Sequence, residues 1–125
     1  MQLDHLILSV NDIDESVRFY TEILGLTHEG QREPFTVIRV TPDLTLQLAP
    51  WGSGGGEHLA FALPRSDFDA TFERVKAAGI EYGDSFHSVG NMQGPGEEEG
   101  SHGPGQTVYM FDPSKHLIEI RHYDG

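Results

Sequence analysis

The chain has 125 residues, which suits one compact domain and leaves no room for two large ones. Its 20 acidic residues against 8 basic ones give a formal charge of −12, which argues against nucleic-acid backbones and anionic membranes as partners, both being polyanions. With no cysteine, a disulfide framework, a thiolate nucleophile and a zinc–thiolate site are excluded.

The start, Met1-Gln2-Leu3-Asp4-His5, has neither a basic n-region nor an apolar h-region, so a cytoplasmic protein is expected. The run Leu59-Ala60-Phe61-Ala62-Leu63 falls far short of the roughly 20 apolar residues that a membrane span needs. A small molecule is therefore the expected partner, rather than nucleic acid or a membrane.

Residues 3–10 alternate, with Leu6, Leu8 and Val10 on one face and His5, Ile7 and Ser9 on the other, as in a half-buried strand. A helix is predicted over 12–24, with an apolar stripe of Ile13, Val17, Tyr20 and Leu24, Asn11 as N-cap and Gly25 as stop. A short strand near 26–29 follows, then strands 35–41 and 44–49 about the turn Pro42-Asp43. The run Gly52-Ser53-Gly54-Gly55-Gly56 reads as a flexible joint.

Beyond the joint, residues 57–63 set Leu59, Phe61 and Leu63 against His58, Ala60 and Ala62. A second helix begins at the capping pattern Ser66-x-x-Asp69, carries Phe68, Phe72 and Val75 on one stripe and ends at Gly79. Strands are expected near 80–86, 106–111 and 117–123. The glycine-rich stretch 88–105, with Glu97-Glu98-Glu99, reads as a solvated loop, or alternatively as a lid over a site.

The two halves repeat each other. Residues 35–42 align without gaps on 106–113, and Asp4-His5-Leu6 matches Glu57-His58-Leu59. Each half reads strand, helix, strand, strand, strand. The expected fold class is α+β: two βαβββ modules, about 1–52 and 56–125, within a single domain 1–125, forming a cupped mixed β-sheet with the helices on its outer face.

The repeat also pairs the polar residues. His5 corresponds to His58, and Gln47 to Glu119 if the second turn is one residue longer. A carboxylate in the middle of an apolar strand is costly unless it is paired or bound to a metal. His5, Gln47, His58 and Glu119 are thus expected on the helix-free face of one curved sheet. Two imidazoles and a carboxylate on a rigid sheet make a divalent-metal site with open positions. The Gln47 amide oxygen is either a fourth ligand or a hydrogen-bonding group in the pocket.

These residues, together with Ser16-Val17-Arg18-Phe19-Tyr20 through Leu24-Gly25-Leu26 and Asp112-Pro113 through Leu117-Ile118-Glu119-Ile120, resemble the vicinal oxygen chelate superfamily. That superfamily includes glyoxalase I, extradiol dioxygenases, methylmalonyl-CoA epimerase, fosfomycin-resistance enzymes and bleomycin-binding proteins. The resemblance covers nearly the whole chain. It implies a divalent metal held by His5, His58 and Glu119, and a homodimer.

A narrower resemblance is to the extradiol dioxygenase signature, which here reads Gly100-Ser101-His102, Val108-Tyr109, Asp112-Pro113 and Glu119, with Lys115 where Gly or Pro is usual. It implies that His102 and Tyr109 line the site as catalytic groups and that the metal is Fe(II) or Mn(II), with Ni(II), Co(II) or Zn(II) compatible. The expected activity is an extradiol-dioxygenase-like oxidation of a small vicinal-oxygen substrate. The set His5, Gln47, His58 and Glu119 also resembles that of methylmalonyl-CoA epimerase. The alternative is therefore an isomerase or lyase working through a metal-stabilised enediolate. A further alternative is a metal-free drug-binding protein of the bleomycin-resistance type.

Overall fold

The computed structural model describes residues 1–124, which form two compact units. The first holds residues 1–54 together with Pro113–Lys115; the second begins at Gly55, runs to Asp112 and resumes at His116.

The first unit comprises β1 (His5–Ser9), α1 (Ile13–Arg18) continuing into a π-helical turn (Phe19–Ile23), β2 (Thr27–Arg32), β3 (Phe35–Thr41) and β4 (Leu44–Ala49). Its sheet has the order β1-β4-β3-β2, with β1 parallel to β4 and the other pairs antiparallel. Leu8, Val10, Ile38, Leu46 and Leu48 are buried beneath the helix.

The helix departs from the expected pattern at two points. Its N-cap is Asp12, whose Oδ1 accepts from the Glu15 N–H at 2.9 Å. Asn11 instead pins the glycine-rich joint: its Nδ2 donates to the Ser53 carbonyl at 2.8 Å and its Oδ1 accepts from the Ser53 N–H at 2.8 Å. The buried residues are Ser16, Phe19, Tyr20 and Leu24, while Ile13 and Val17 are only half buried. The π turn adds residues per turn after Arg18, so positions before and after it no longer fall on one α-helical stripe.

The second unit comprises β5 (His58–Ala62), α2 (Arg65–Ala77), β6 (Tyr82–Gly83), β7 (Gly96–Gly100), β8 (Gly103–Phe111) and β9 (Leu117–His122). Its sheet has the order β5-β9-β8-β6, with β7 also paired to β8 and β5 parallel to β9. Phe68, Phe72 and Val75 of α2 are buried, and the Phe68 ring meets His122 of β9 edge-on at 4.8 Å.

The start of α2 also differs from the expectation. Pro64 is the N-cap and offers no side-chain bond, and Ser66 lies inside the helix. The first-turn donor at Arg65 is satisfied from the chain end, with its N–H donating to Asp124 Oδ2 at 3.1 Å. The stretch 88–105 is not simply a loop. The acidic run lies in β7, which pairs antiparallel with β8 and turns back at Ser101-His102, with Gly100 opposite Gly103. The strand expected over 80–86 shrinks to two residues. Gly83 packs so closely under the Ser88 carbonyl that a Cβ would stand 2.0 Å from its oxygen, so the chain doubles back there.

Strand register shows how the halves correspond. In one sheet Ile7, Gln47, Val37 and Gly30 form a row; in the other Ala60, Glu119, Tyr109 and Gly83 do. Gln47 and Glu119 are thus equivalent. Tyr109 matches Val37 rather than Ile38, one residue away from the gapless alignment. The register shift in β3 between Arg39 and Thr41 absorbs that offset.

Candidate functional site

In the second unit, β5 and β9 bring two of the expected ligands together. His58 lies two residues before Ala60, the neighbour of Glu119, so both side chains emerge on the face opposite α2. His58 Nε2 stands 3.0 Å from Glu119 Oε1. The His58 side chain is 46 % exposed and the Glu119 side chain only 5 %, so the carboxylate forms the floor and the imidazole the rim.

Tyr109, opposite Glu119 on β8, completes this patch, with its ring centroid 6.1 Å from that of His58. Burial, followed by the negative charge of Glu119, pushes the Tyr109 phenol up to about 12. The hydroxyl therefore stays protonated at neutral pH.

Glu119 is held from beneath by Arg121, a residue that sequence reasoning left unassigned. Arg121 Nη1 donates to Glu119 Oε2 at 2.7 Å, and both side chains are almost fully buried. The remaining oxygen, Oε1, is the one turned toward His58. Arg121 faces the same way as Glu119 because it lies two residues further along β9.

His58 is buttressed through the residue before it. The Glu57 N–H donates to Nδ1 of the buried His116 at 3.3 Å, and the Glu57 carbonyl accepts from the Leu117 N–H at 2.8 Å. His116 is fixed in turn by Asp112, whose Oδ1 accepts its N–H at 2.9 Å. In that turn Lys115 has φ +67, a conformation that favours glycine.

His102 occupies the tip of the β7–β8 hairpin. Its N–H donates to the Tyr123 hydroxyl at 3.4 Å and its ring lies 5.3 Å from the Tyr123 ring. Tyr123 in turn lies 4.7 Å from the Arg121 guanidinium. Two side chains, Tyr123 and Arg121, thus lie in the chain of contacts from His102 to Glu119.

In the first unit, His5 and Gln47 have the same diagonal relation as His58 and Glu119, since Gln47 is opposite Ile7. His5 Nδ1 lies 2.7 Å from Asp4 Oδ2. In the tautomer with its proton on Nδ1, donated to that carboxylate, the ring offers its lone pair at Nε2, the arrangement that suits a metal-binding imidazole. Among the described residues, no group of three or more His, Cys, Asp or Glu side chains is placed to hold a metal ion.

The donor set of the second unit fits a divalent ion. Nitrogen and oxygen ligands each about 2.1 Å from one cation, at a right angle, lie about 3.0 Å apart. His58 and Glu119 are hydrogen-bonded at a similar 3.0 Å, a bond that a cation held by both would replace. A cleft of about 290 Å³ opens elsewhere in this unit, beside Arg65, Phe68 and His122, and none of the candidate ligands lines it. No helix among the described residues is long and apolar enough to cross a membrane.

A family profile for the Glyoxalase/Bleomycin resistance protein/Dioxygenase superfamily matches residues 2–120. The chain belongs to that superfamily. It is 26 % identical to the glutathione transferase FosA of Serratia marcescens, covering 94 % of this chain and 78 % of that protein. Identity is also 26 % with a probable lactoylglutathione lyase of Vibrio parahaemolyticus, covering 93 % and 86 %. Among solved structures, Oxidase ChaP-H2 superposes with a TM-score of 0.82 at 28 % identity, covering 99 % of this chain and 94 % of that one. The superfamily and its two-sheet α+β fold are therefore established, while the named relatives span transfer, lyase and oxidase chemistry.

Proposed function

We propose that the protein is a divalent-metal-dependent enzyme acting on a small substrate with adjacent oxygen atoms, and that its reaction is an oxidation of the extradiol-dioxygenase type. The observation that carries the metal assignment is the meeting of the His58 imidazole and the buried Glu119 carboxylate on one face, now joined by a 3.0 Å hydrogen bond that a shared cation would replace. The family resemblance implies His5 as the third ligand; within its own unit its Nδ1 is held by Asp4. Gln47 is assigned as a weaker, neutral ligand or a hydrogen-bonding group for substrate. Fe(II) or Mn(II) is the favoured ion, and when bound it would supply Lewis acidity and, for Fe(II), a route for O₂ chemistry.

The protein's own contribution is positioning. Tyr109 beside His58 and Glu119 offers a protonated phenol that can hold a substrate oxygen. His58 is the exposed member of the patch, while Glu119 and Tyr109 are buried beneath it. His102, behind Tyr123, is assigned no chemical step. The likeness to an oxidase supports oxidative chemistry at this site.

The second reading is an isomerase or lyase working through an enediolate, which the likeness to a lyase and the neutral Gln47 support. The deciding experiment loads anaerobically purified protein with Fe(II) or Mn(II) and measures O₂ uptake across a catechol panel. Oxygen consumption with a yellow ring-fission product supports the oxygenase. No uptake, together with solvent deuterium exchange into an α-hydroxy carbonyl or acyl-CoA, transfers the assignment to the second reading.

A further inference from the structure

Arg121 is almost fully buried, and its two terminal nitrogens bond to four acceptors. Its Nη1 donates to Glu119 Oε2 at 2.7 Å and to the Glu99 carbonyl at 3.3 Å. Its Nη2 donates to the carbonyls of Glu98 at 3.0 Å and Gly103 at 3.5 Å. The guanidinium plane lies 4.7 Å from the Tyr123 ring. One carboxylate and three backbone carbonyls thus fix a rigid fork whose orientation is not free to vary.

The hairpin is shaped to receive that fork. A Cβ at Gly100 would stand 2.4 Å from Arg121 Cζ, and one at Gly105 would stand 2.8 Å from Nη2. Glycine at both positions lets the backbone close over the guanidinium. The acidic run Glu97-Glu98-Glu99 uses its main chain, not its carboxylates, to bind Arg121.

The repeat isolates what Arg121 is for. Its register partner on the parallel strand is Ala62, and the corresponding pair in the first unit is Ser9 and Ala49. Where the ligand position holds the neutral Gln47, the residue two places on is a buried alanine. Where it holds the carboxylate Glu119, that residue is arginine.

We infer that Arg121 is a positioning residue that occupies Glu119 Oε2 and thereby presents Oε1, beside His58, as a single metal-binding oxygen, with the β7–β8 hairpin holding the guanidinium in place. The inference rests on the metal-binding reading above. It makes the hairpin part of the metal site's support although the hairpin contributes no ligand. A lysine at 121 keeps the charge and loses the fork, so it cannot make the same set of bonds.

The test is Mn(II) binding by titration calorimetry, together with the EPR spectrum of bound Mn(II), for the wild type and the variants Arg121→Gln, Arg121→Lys and Gly100→Ala. Arg121→Gln is expected to weaken Mn(II) about 10- to 100-fold and change the spectrum, as loss of a group that orients a ligand does. Arg121→Lys should fall between it and the wild type. Gly100→Ala should shift both readouts in the same direction, because its Cβ crowds the guanidinium together with the Tyr123 hydroxyl and removes no ligand. Asp124→Ala, which weakens the start of α2, controls for lost stability and should leave Mn(II) affinity unchanged. Affinity for Arg121→Gln within twofold of wild type, or an equal loss in Asp124→Ala, overturns the role of Arg121. Wild-type protein that takes up no Mn(II), Fe(II), Ni(II) or Zn(II) overturns the metal reading as well, so the two failures are told apart by the wild type alone.

Discussion

Gln47 and Glu119 occupy the same register position in their two sheets: each sits opposite the residue two beyond a histidine, Ile7 after His5 and Ala60 after His58. One scaffold thus carries an amide in one unit and a carboxylate in the other. A buried carboxylate must be paired, and Glu119 has Arg121; an amide needs no counter-charge, and Gln47 has Ala49 two places on. The two positions therefore differ in charge and pairing even though their backbones correspond.

That inequality sets the expected ranking of ligand variants. Glu119→Gln removes an anionic donor and should cost at least about 100-fold in Mn(II) affinity, whereas Gln47→Ala should cost less than about tenfold. His58→Ala should abolish tight binding yet change stability by less than about 1 kcal/mol, because its side chain is nearly half exposed. Calorimetric titration of the three variants beside urea melts checks both statements. Equal losses for Glu119→Gln and Gln47→Ala would show that the carboxylate has no special place.

Tyr109 and His102 are separated by the same comparison of surroundings. Tyr109 touches the His58–Glu119 patch, and His102 packs on Tyr123 at a hairpin tip. Tyr109→Phe keeps the ring and removes only the hydroxyl. It should lower kcat about 100-fold or more if the phenol holds or protonates a substrate oxygen. His102→Ala should leave kcat within about threefold of the wild type. Steady-state turnover of metal-loaded protein, on whichever substrate the O₂-uptake or deuterium-exchange screen identifies, distinguishes them; a large loss for His102→Ala would return it to the site.

The parts of this arrangement that could be read from the sequence are those carried by local periodicity. Alternation put His5 and His58 opposite the apolar faces of their strands, and the repeat paired Gln47 with Glu119. Arg121 was out of reach because its partners include the backbone carbonyls of Glu98, Glu99 and Gly103, which no side-chain pattern announces. The acidic run itself has poor strand propensity and is a strand only because β8 offers it an edge. His116 sits in a turn, where histidine is ordinary, and only the fold sets its ring against the Glu57 amide. The N-cap at Asp12 rather than Asn11 reflects a choice between two equally capable residues, decided by the demand of the Gly52–Ser53 joint for Asn11.

The turn that supports His58 carries a removable strain. Lys115 adopts φ +67, and a side chain in that region costs about 1–2 kcal/mol relative to glycine, part of which glycine gives back through its freer unfolded chain. Lys115→Gly should therefore stabilise the protein by about 0.5–1 kcal/mol, and Lys115→Val, β-branched, should destabilise it. Denaturant midpoints at constant slope check the sign. A Lys115→Gly variant less stable than the wild type would mean that the lysine side chain contributes contacts that outweigh its backbone cost.

The start of α2 gives a prediction of the opposite kind, in which a distant residue does the work of a missing cap. Pro64 precedes the helix without a side-chain acceptor, and the Arg65 N–H is taken up by Asp124 Oδ2 at 3.1 Å. A carboxylate at a helix N-terminus also interacts favourably with the exposed N–H dipoles there. Asp124→Ala should cost about 1 kcal/mol, and the loss of a typical cap acceptor is of that size. For a chain of this length that corresponds to a fall of a few degrees in Tm. Asp124→Asn keeps an acceptor oxygen and should recover part of the loss. Scanning calorimetry of both variants checks it: equal losses would assign the effect to charge, and no loss in either would show that solvent satisfies the Arg65 amide equally well.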